Sequence, residues 1–265
     1  MGGYVDIDGL NTWYDEDGGG EPLVLLHGGL CTNETWSAQT PMFAERFRVL
    51  APERRGHGHT ADTQGPLTYA DMATDTVGFL DRVVGGPAHL VGWSDGGIVG
   101  LMVAIARPDL VRKLVVIGTN YDTRGVAPEV EEMFANMAPD TADMAMFRGL
   151  YETHSPDGPE HWPVVFGKFV EMTQREPHIQ VDELALISSP TLVIVGDDDM
   201  ISIEHSVELF RAIPNSQLAV VPGASHAVLM EKPDLLNGIV LDFLENQPVA
   251  TMLPIRRGAT GAETH

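Results

Sequence analysis

The chain has 265 residues, of which 16 are Lys or Arg and 38 are Asp or Glu, so its formal net charge is −22. Such an acidic protein argues against nucleic acid or an anionic membrane as a partner, because both are bound by basic surfaces. The single cysteine, Cys31, excludes an internal disulfide framework and a zinc site of the multi-cysteine type.

The first half of the chain predicts strands that alternate with helices. Residues 4–8 and 10–14 alternate apolar and polar side chains around Asp8-Gly9, which predicts a β-hairpin. Continuous apolar runs suit parallel strands covered on both faces. These runs predict strands over 23–26, 48–51, 88–91 and 114–117, and helical spacing of apolar residues predicts helices over 69–84 and 98–106.

The second half contains a change of pattern. Residues 120–189 predict no strand and are rich in Met, Phe, Pro and acidic residues, which indicates a helical insertion or lid. The pattern then predicts a strand over 191–195, a helix over 203–213, a strand over 218–221 and a helix over 233–245. The predicted organisation is therefore a core of residues 1–119 and 190–247, a lid of residues 120–189 and a mobile tail of residues 248–265.

Strands that alternate with helices predict an α/β fold, with a mostly parallel, doubly wound sheet and helices on both faces. Ligands of such sheets bind beyond the carboxyl ends of the strands. The loops that contain His27, Ser94, Asp199 and His226 all follow predicted strands, so we expect them at one edge of the sheet.

The strongest motif is Gly92-Trp93-Ser94-Asp95-Gly96, which matches G-x-S-x-G between an apolar strand and a helix. A nucleophile elbow has this context, and its turn is so tight that side chains at Gly92 and Gly96 would clash. The motif predicts Ser94 as a nucleophile. The alternative is a Gly-rich turn that arose by chance.

A serine hydroxyl needs a base, and that base needs an orienting carboxylate. His226 follows the last predicted strand and is the expected base. Asp199 is the expected carboxylate, with Asp122 as the second choice, although the run of three Asp could also be a solvated strand end or a weak cation site. We predict no metal site, because the pair His57 and His59 lacks a third ligand nearby.

The developing oxyanion of acyl transfer needs two backbone N–H donors. We expect them from Asp95, which follows the nucleophile, and from Gly29 in the loop His27-Gly28-Gly29-Leu30. Leu30, Trp36 and Trp93 lie beside these loops in sequence and are candidate substrate-binding residues. Apolar side chains of the lid would line an adaptable pocket or simply form its core.

With these motifs in place, the chain resembles the α/β-hydrolases with a helical lid over about residues 4–246. The resemblance rests on His27-Gly28-Gly29, Arg55-Gly56-His57-Gly58, the Ser94 elbow, and the pair of loops that hold Asp199 and His226. One departure is Glu53, where the family often has Asp. The resemblance implies Ser94 as nucleophile, Asp199 as acid, His226 as base and residues 120–187 as the lid.

The elbow also resembles that of valacyclovirase-type hydrolases, because it reads Gly-Trp-Ser-Asp-Gly-Gly. In those enzymes the Asp binds the substrate's ammonium group, which implies amino-acid ester recognition by Asp95. The alternative, which we favour at this point, is that Asp95 only stabilises the helix N-terminus.

The sequence therefore predicts a cytoplasmic serine hydrolase that acts on a small ester or lactone by acyl transfer, without cofactor or metal. The N-terminus shows no signal peptide pattern, and no apolar run is long enough to span a bilayer. Carbon–carbon bond hydrolysis or perhydrolysis on the same residues is the first alternative. A ligand receptor built on a hydrolase scaffold is the second. The sequence leaves the oligomeric state open.

Overall fold

The apolar runs of the sequence become the strands of one sheet. The computed structural model describes residues 2–246 and 251–253, and within them the sheet has eight strands. The strands are β1 (Gly2–Ile7), β2 (Leu10–Gly18), β3 (Glu21–Leu26), β4 (Phe47–Pro52), β5 (Ala88–Trp93), β6 (Val111–Ile117), β7 (Thr191–Asp198) and β8 (Ser216–Ser225).

The strand order is β1-β2-β4-β3-β5-β6-β7-β8. The first two strands form the predicted hairpin, and its turn residues Asp8 (φ 51°) and Gly9 (φ 93°) both adopt the positive φ that a tight hairpin turn requires. β2 also pairs antiparallel with β4, whereas all pairs from β4 through β3 to β8 are parallel. The prediction of a mostly parallel sheet is confirmed.

Helices cover both faces of this sheet. They are α1 (Thr40–Ala44), α2 (Tyr69–Phe79), α3 (Asp95–Ala106), α4 (Pro128–Ala135), α5 (Ala145–His154), α6 (Trp162–Arg175), α7 (Val181–Leu184), α8 (Ile203–Ala212), α9 (Val228–Glu231) and α10 (Pro233–Glu245). Apolar residues of α2, α3 and α8 form one buried cluster, and those of α1 and α10 form another. Successive residues of β3 alternate between the clusters, which explains its unbroken apolar run.

Two helices differ from their predicted bounds for local reasons. The helix predicted from residue 98 begins at Asp95, because the elbow turns directly into it. The helix predicted over 69–84 is α-helical only to Phe79 and ends in a π-helical turn over Leu80–Val84, which Gly85 stops with a left-handed backbone (φ 78°).

The segment between β6 and β7 contains α4 to α7 and no strand of the described sheet. Its helix α6 is tied to the core, since Lys168 and His161 bond Asp62 in the loop after β4. The predicted tail, residues 248–265, falls outside the described residues except for 251–253. Within the described residues, no helix is both long enough and apolar enough to cross a membrane.

Candidate active site

Ser94 occupies the sharp turn between β5 and α3. Its backbone has φ 55° and ψ −122°, a conformation that a residue with a side chain seldom adopts. A Cβ at Gly92 would collide with the carbonyl of Gly96, and one at Gly96 would collide with the carbonyl of Leu26. The glycines of the motif are therefore required by the turn itself.

A hydrogen-bonded chain leads from this serine to a buried carboxylate. Ser94 Oγ lies 3.0 Å from His226 Nε2, and His226 Nδ1 lies 2.8 Å from Asp199 Oδ1. The Asp199 side chain is 0% exposed. An ionised carboxylate can only accept, so His226 Nδ1 carries the proton and Nε2 is free to accept from the Ser94 hydroxyl.

Hydrogen bonds between side chains and backbone groups hold His226 and Asp199 in place. Trp93, next to the serine, donates from Nε1 to the carbonyl oxygen of His226 at 2.9 Å. Asp199 Oδ1 also accepts the N–H of Ile201 at 3.0 Å. These bonds hold the imidazole and the carboxylate in one arrangement.

Gly118 was not singled out from the sequence, yet it lies against this chain of bonds. It follows β6 with φ 55°, and a Cβ there would lie 2.9 Å from His226 Nδ1 and 3.1 Å from Asp199 Oδ2. The only sequence signal is a glycine directly after a predicted strand. Gly118 meets His226 and Asp199 because the loops after neighbouring strands come together at this edge of the sheet, which no local motif indicates.

The other candidate carboxylates have different partners. Asp197 accepts the backbone N–H groups of Gly223 and Ala224, and it therefore joins the ends of β7 and β8. Asp122 bonds Arg124 and His178. Although burial opposes them, these bonds lower the pKa of Asp122 to about 2. The second choice for the orienting carboxylate does not contact His226.

Ser94 opens into a cavity of about 460 Å³ that extends under the inserted segment. Gly29, Leu30, Trp93 and Asp95 line it, as do Tyr69, Asn120, Met133, Met137, Met144, Phe147, Phe169, Thr173, Gln174 and Glu176. Gly29 has no room for a side chain, because Phe169 of α6 packs directly against it. The inserted helices thus form the apolar wall of the cavity that contains the serine.

The predicted oxyanion donors are placed at the same cavity. Asp95 is the first residue of α3, so its N–H has no acceptor within the helix. Gly29 lies in the loop after β3, and both residues line the cavity with Ser94. Their backbone N–H groups are the candidates for holding a developing negative charge.

Trp36 lies away from the cavity, although the sequence suggested it as a substrate-binding residue. It ends a short 3-10 helix (Asn33–Trp36), is 1% exposed and packs in the apolar cluster of α1 and α10. It does not line the cavity. Its closeness to the oxyanion loop in sequence says nothing about the direction of its side chain, which is into the core.

The described lining of the cavity includes the carboxylic acids Asp95 and Glu176 but no Lys or Arg. Asp95 is 6% exposed, and its Oδ2 has no hydrogen-bond partner in the described part of the chain. Burial raises the pKa of Asp95, against the opposing charge of Arg54. Glu176 accepts the backbone N–H of Tyr69 at 3.0 Å. The cavity is suited to neutral or cationic molecules.

The remaining chemically distinctive residues, of which Cys31 also lines the cavity, lie outside the hydrogen-bonded series of Ser94, His226 and Asp199. Burial lowers the pKa of His57 to about 3, and His59 bonds Glu53 at 2.9 Å. Burial raises the pKa of the Cys31 thiol to about 11, so this thiol is a poor nucleophile. Within residues 2–246 and 251–253, no three metal-ligating side chains form a group.

Comparisons with known proteins agree with this architecture. A sequence model described as "Alpha/beta hydrolase family" matches residues 23–239. A putative carbamate hydrolase RutD of Caulobacter sp. (strain K31) is 30% identical over 91% of this chain and 97% of its own length. A 2-hydroxy-6-oxo-6-(2'-aminophenyl)hexa-2,4-dienoic acid hydrolase of Metapseudomonas resinovorans is 26% identical over 92% and 91% of the two chains. The crystal structure of the enol-lactonase from Burkholderia xenovorans LB400 superposes with a TM-score of 0.73, at 25% identity, and covers 92% of this chain and 100% of its own.

Proposed function

Because the chain belongs to the alpha/beta hydrolase family, we propose that it is a serine hydrolase that cleaves small carboxylic esters or lactones through an acyl-enzyme. The observation that carries this proposal is the hydrogen-bonded series Ser94, His226 and Asp199, with separations of 3.0 Å and 2.8 Å, at the wall of a largely apolar cavity.

The geometry supports a two-step acyl transfer. Ser94 Oγ attacks the substrate carbonyl while its proton passes to His226 Nε2, and Asp199 stabilises the resulting imidazolium. The N–H groups of Gly29 and Asp95 hold the negative oxygen of the tetrahedral intermediate. The alkoxide leaves with the proton from Nε2. Water then gives its proton to His226, attacks the acyl group and releases the acid and Ser94 Oγ–H.

The charge of the cavity narrows the proposed substrate class. With two carboxylic acids and no described Lys or Arg in its lining, the cavity favours a neutral or amine-bearing ester over one with a carboxylate. The Oδ2 atom of Asp95 has no partner in the described residues, which supports recognition of an amino group as the elbow sequence implied, although Arg54 and Tyr69 already act on the same carboxylate. The contrary role, helix N-terminal stabilisation, needs no substrate amine.

The same three residues also suit other reactions. The relative from Metapseudomonas resinovorans is named for a dienoic acid, which carries a carboxylate. The described cavity lining has no Lys or Arg to pair with such a group. That observation favours ester or lactone cleavage over this carbon–carbon bond hydrolysis. Activity assays distinguish ester cleavage from carbamate cleavage, from perhydrolysis and from ligand binding without turnover.

The test compares hydrolysis of 4-nitrophenyl esters, acetate through octanoate, by the wild type and by Ser94→Ala. Removal of the nucleophile should lower kcat by about 10³-fold or more. Ser206→Ala is the matched control, because Ser206 is also buried (1% exposed) but lies on α8. Equal activity of Ser94→Ala and the wild type contradicts the proposal. Labelling of Ser94 without turnover favours a receptor.

A further inference from the structure

Arg54 is a buried cation that the proposed mechanism leaves unused. The residue is 4% exposed and extends toward the loop after β3. Its Nη1 donates to the carbonyl oxygen of His27 at 2.5 Å, and its Nη2 donates to the carbonyl oxygen of Gly28 at 3.1 Å. One guanidinium group therefore binds two successive carbonyls of the loop that supplies the N–H of Gly29.

His27 adds a second donor to the same carbonyl. The backbone N–H of Arg54 donates to His27 Nε2 at 3.3 Å, so that nitrogen is unprotonated. The proton is therefore on Nδ1, which lies 2.7 Å from the carbonyl oxygen of Gly28 and donates to it. Burial holds the pKa of His27 well below its usual range, which keeps this tautomer neutral. The Gly28 oxygen thus accepts from the His27 ring and from the Arg54 cation, in addition to a longer bond of 3.4 Å from the backbone N–H of Cys31.

These bonds act on the Gly29 N–H because both groups belong to one peptide unit. The peptide between Gly28 and Gly29 is trans and planar, so its N–H points opposite to its C=O. Fixing the oxygen from the Arg54 side fixes the N–H on the other side. Hydrogen bonds to the oxygen also polarise the amide and strengthen its N–H as a donor.

The electrostatic surroundings of this buried cation suit a role at the oxyanion site. Its guanidinium donates to carbonyl oxygens and to no carboxylate in the described part of the chain, although the Asp95 carboxylate lies close enough to act on its charge, and its Nε has no partner there. A buried charge without an ion pair is unfavourable unless something offsets it. The charge of Asp95 offsets part of that cost in the resting protein, and the same cation lies where it would stabilise negative charge that develops at the oxyanion site.

We propose that Arg54 is a positioning residue of the oxyanion site: through the Gly28 carbonyl it orients and polarises the N–H of Gly29. This inference rests on the proposed function. It differs from a purely structural role because it requires Arg54 to favour a tetrahedral, negatively charged adduct over the planar substrate.

The experiment compares Arg54→Met and Arg54→Lys with the wild type. The readouts are kcat and KM for a 4-nitrophenyl ester, the affinity of an alkyl boronic acid, and the affinity of the matching N-alkyl amide. The boronic acid forms a tetrahedral anion on Ser94, whereas the uncleaved amide stays planar. Since loss of one direct oxyanion donor costs about 10²- to 10³-fold in kcat, the indirect loss in Arg54→Met should be about 10- to 100-fold. In Arg54→Met, the affinity for the boronic acid should fall by a similar factor, whereas KM and the affinity for the amide should stay near the wild-type values. The kcat and boronic acid affinity of Arg54→Lys should lie between those of the wild type and Arg54→Met.

Lys113→Met is the matched control, because Lys113 is also a buried cation on backbone carbonyls. Its Nζ donates to Phe243, Leu244 and Asn246 at 2.8 to 2.9 Å, away from the cavity. It should lose thermal stability while its ratio of boronic acid to amide affinity stays at the wild-type value.

An unchanged affinity ratio in Arg54→Met overturns the inference, as does an equal change of the ratio in Lys113→Met. If Arg54→Met fails to fold, Arg54→Lys decides by the same ratio, because it keeps the charge and reaches one carbonyl. Failure of the proposed function gives a different result: the wild type then neither cleaves esters nor binds the boronic acid, and the inference falls with it.

Discussion

At the scale of single residues, Gly118 is a position where one added methyl group should disturb the proposed catalytic residues directly. Its left-handed backbone and its closeness to His226 and Asp199 leave no room for a side chain. Gly118→Ala should displace the imidazole and lower kcat by up to about 10²-fold, since small misplacements of catalytic groups can cost that much. The backbone strain should lower the free energy of unfolding by about 1–3 kcal/mol. Steady-state kinetics and urea denaturation measure the two effects.

The control for this change is Gly85→Ala. Gly85 has a similar positive φ of 78°, but a Cβ there would meet no atom within 4 Å. The control should lose stability by about 1–2 kcal/mol and keep wild-type kcat. Full activity in Gly118→Ala would show that the loop moves without disturbing His226, contrary to the expectation.

The residues of the candidate site differ in how visible they are in the sequence. Ser94 and its flanking glycines form a local motif, so the strand-turn-helix context was enough to predict the elbow. Gly118 and Arg54 act across strand ends, and no spacing along the chain indicates that they meet the other loops. Trp36 shows the opposite error, because closeness in sequence was taken as closeness to the cavity.

At the scale of elements, the attachment of α6 to the core depends on Asp62. Its Oδ2 accepts from Lys168 Nζ at 2.6 Å and from His161 Nε2 at 2.9 Å, and Lys168 also donates to the carbonyl of Thr63. Burial alone would raise the pKa of Asp62, but the bonds from Lys168 and His161 leave it below its ordinary value. The folded protein therefore stabilises the ionised form of Asp62.

Asp62→Asn should loosen α6 in a pH-dependent way. Because the folded pKa lies below the unfolded pKa of about 3.9, the stabilisation is present at neutral pH and is lost as the pH falls through the folded value. The difference in unfolding free energy between wild type and variant should thus be constant near neutral pH and shrink below about pH 4. Urea denaturation across that pH range and amide hydrogen exchange in α6 test this expectation.

Glu171→Gln is the control on the same helix. Its pair with Arg175 lies within α6 and is exposed, so its loss should leave the exchange rates of α6 unchanged. If both variants speed exchange equally, or if the Asp62→Asn difference grows on acidification, the anchoring role is wrong.

Secondary structure was largely predictable because each element carries its own pattern. Parallel strands such as β5 and β6 are buried on both faces and read as unbroken apolar runs. In the inserted segment, apolar side chains face both the buried cluster of α2, α3 and α8 and the cavity. The sequence therefore predicted helices there, but not that Phe169 would pack against Gly29. Whether the segment moves as a lid stays a prediction.

At the scale of the whole molecule, two sources of negative charge act on an approaching substrate. The net charge of −22 produces a long-range field, and the acids Asp95 and Glu176 act inside the cavity. The salt dependence of the kinetics distinguishes the two contributions, because the Debye length falls from about 30 Å at 0.01 M to about 3 Å at 1 M ionic strength. High salt should screen the long-range force between the charged protein and a charged substrate, whereas contacts between the substrate and the acids of the cavity should persist.

Three butyrate esters of similar size test this separation: butyrylcholine, its neutral carbon isostere and sulfoethyl butyrate. From low to high salt, kcat/KM should fall several-fold for the cation, rise for the anion and stay constant for the neutral ester. The preference for the cation that remains at high salt belongs to the cavity. Asp95→Asn should reduce it, since Asn keeps the backbone N–H and removes only the charge. Asp234→Asn is the control: it removes the same charge on α10 and should leave this preference unchanged. If both variants reduce the preference equally, or if the wild type shows no preference at high salt, Asp95 only stabilises the helix terminus.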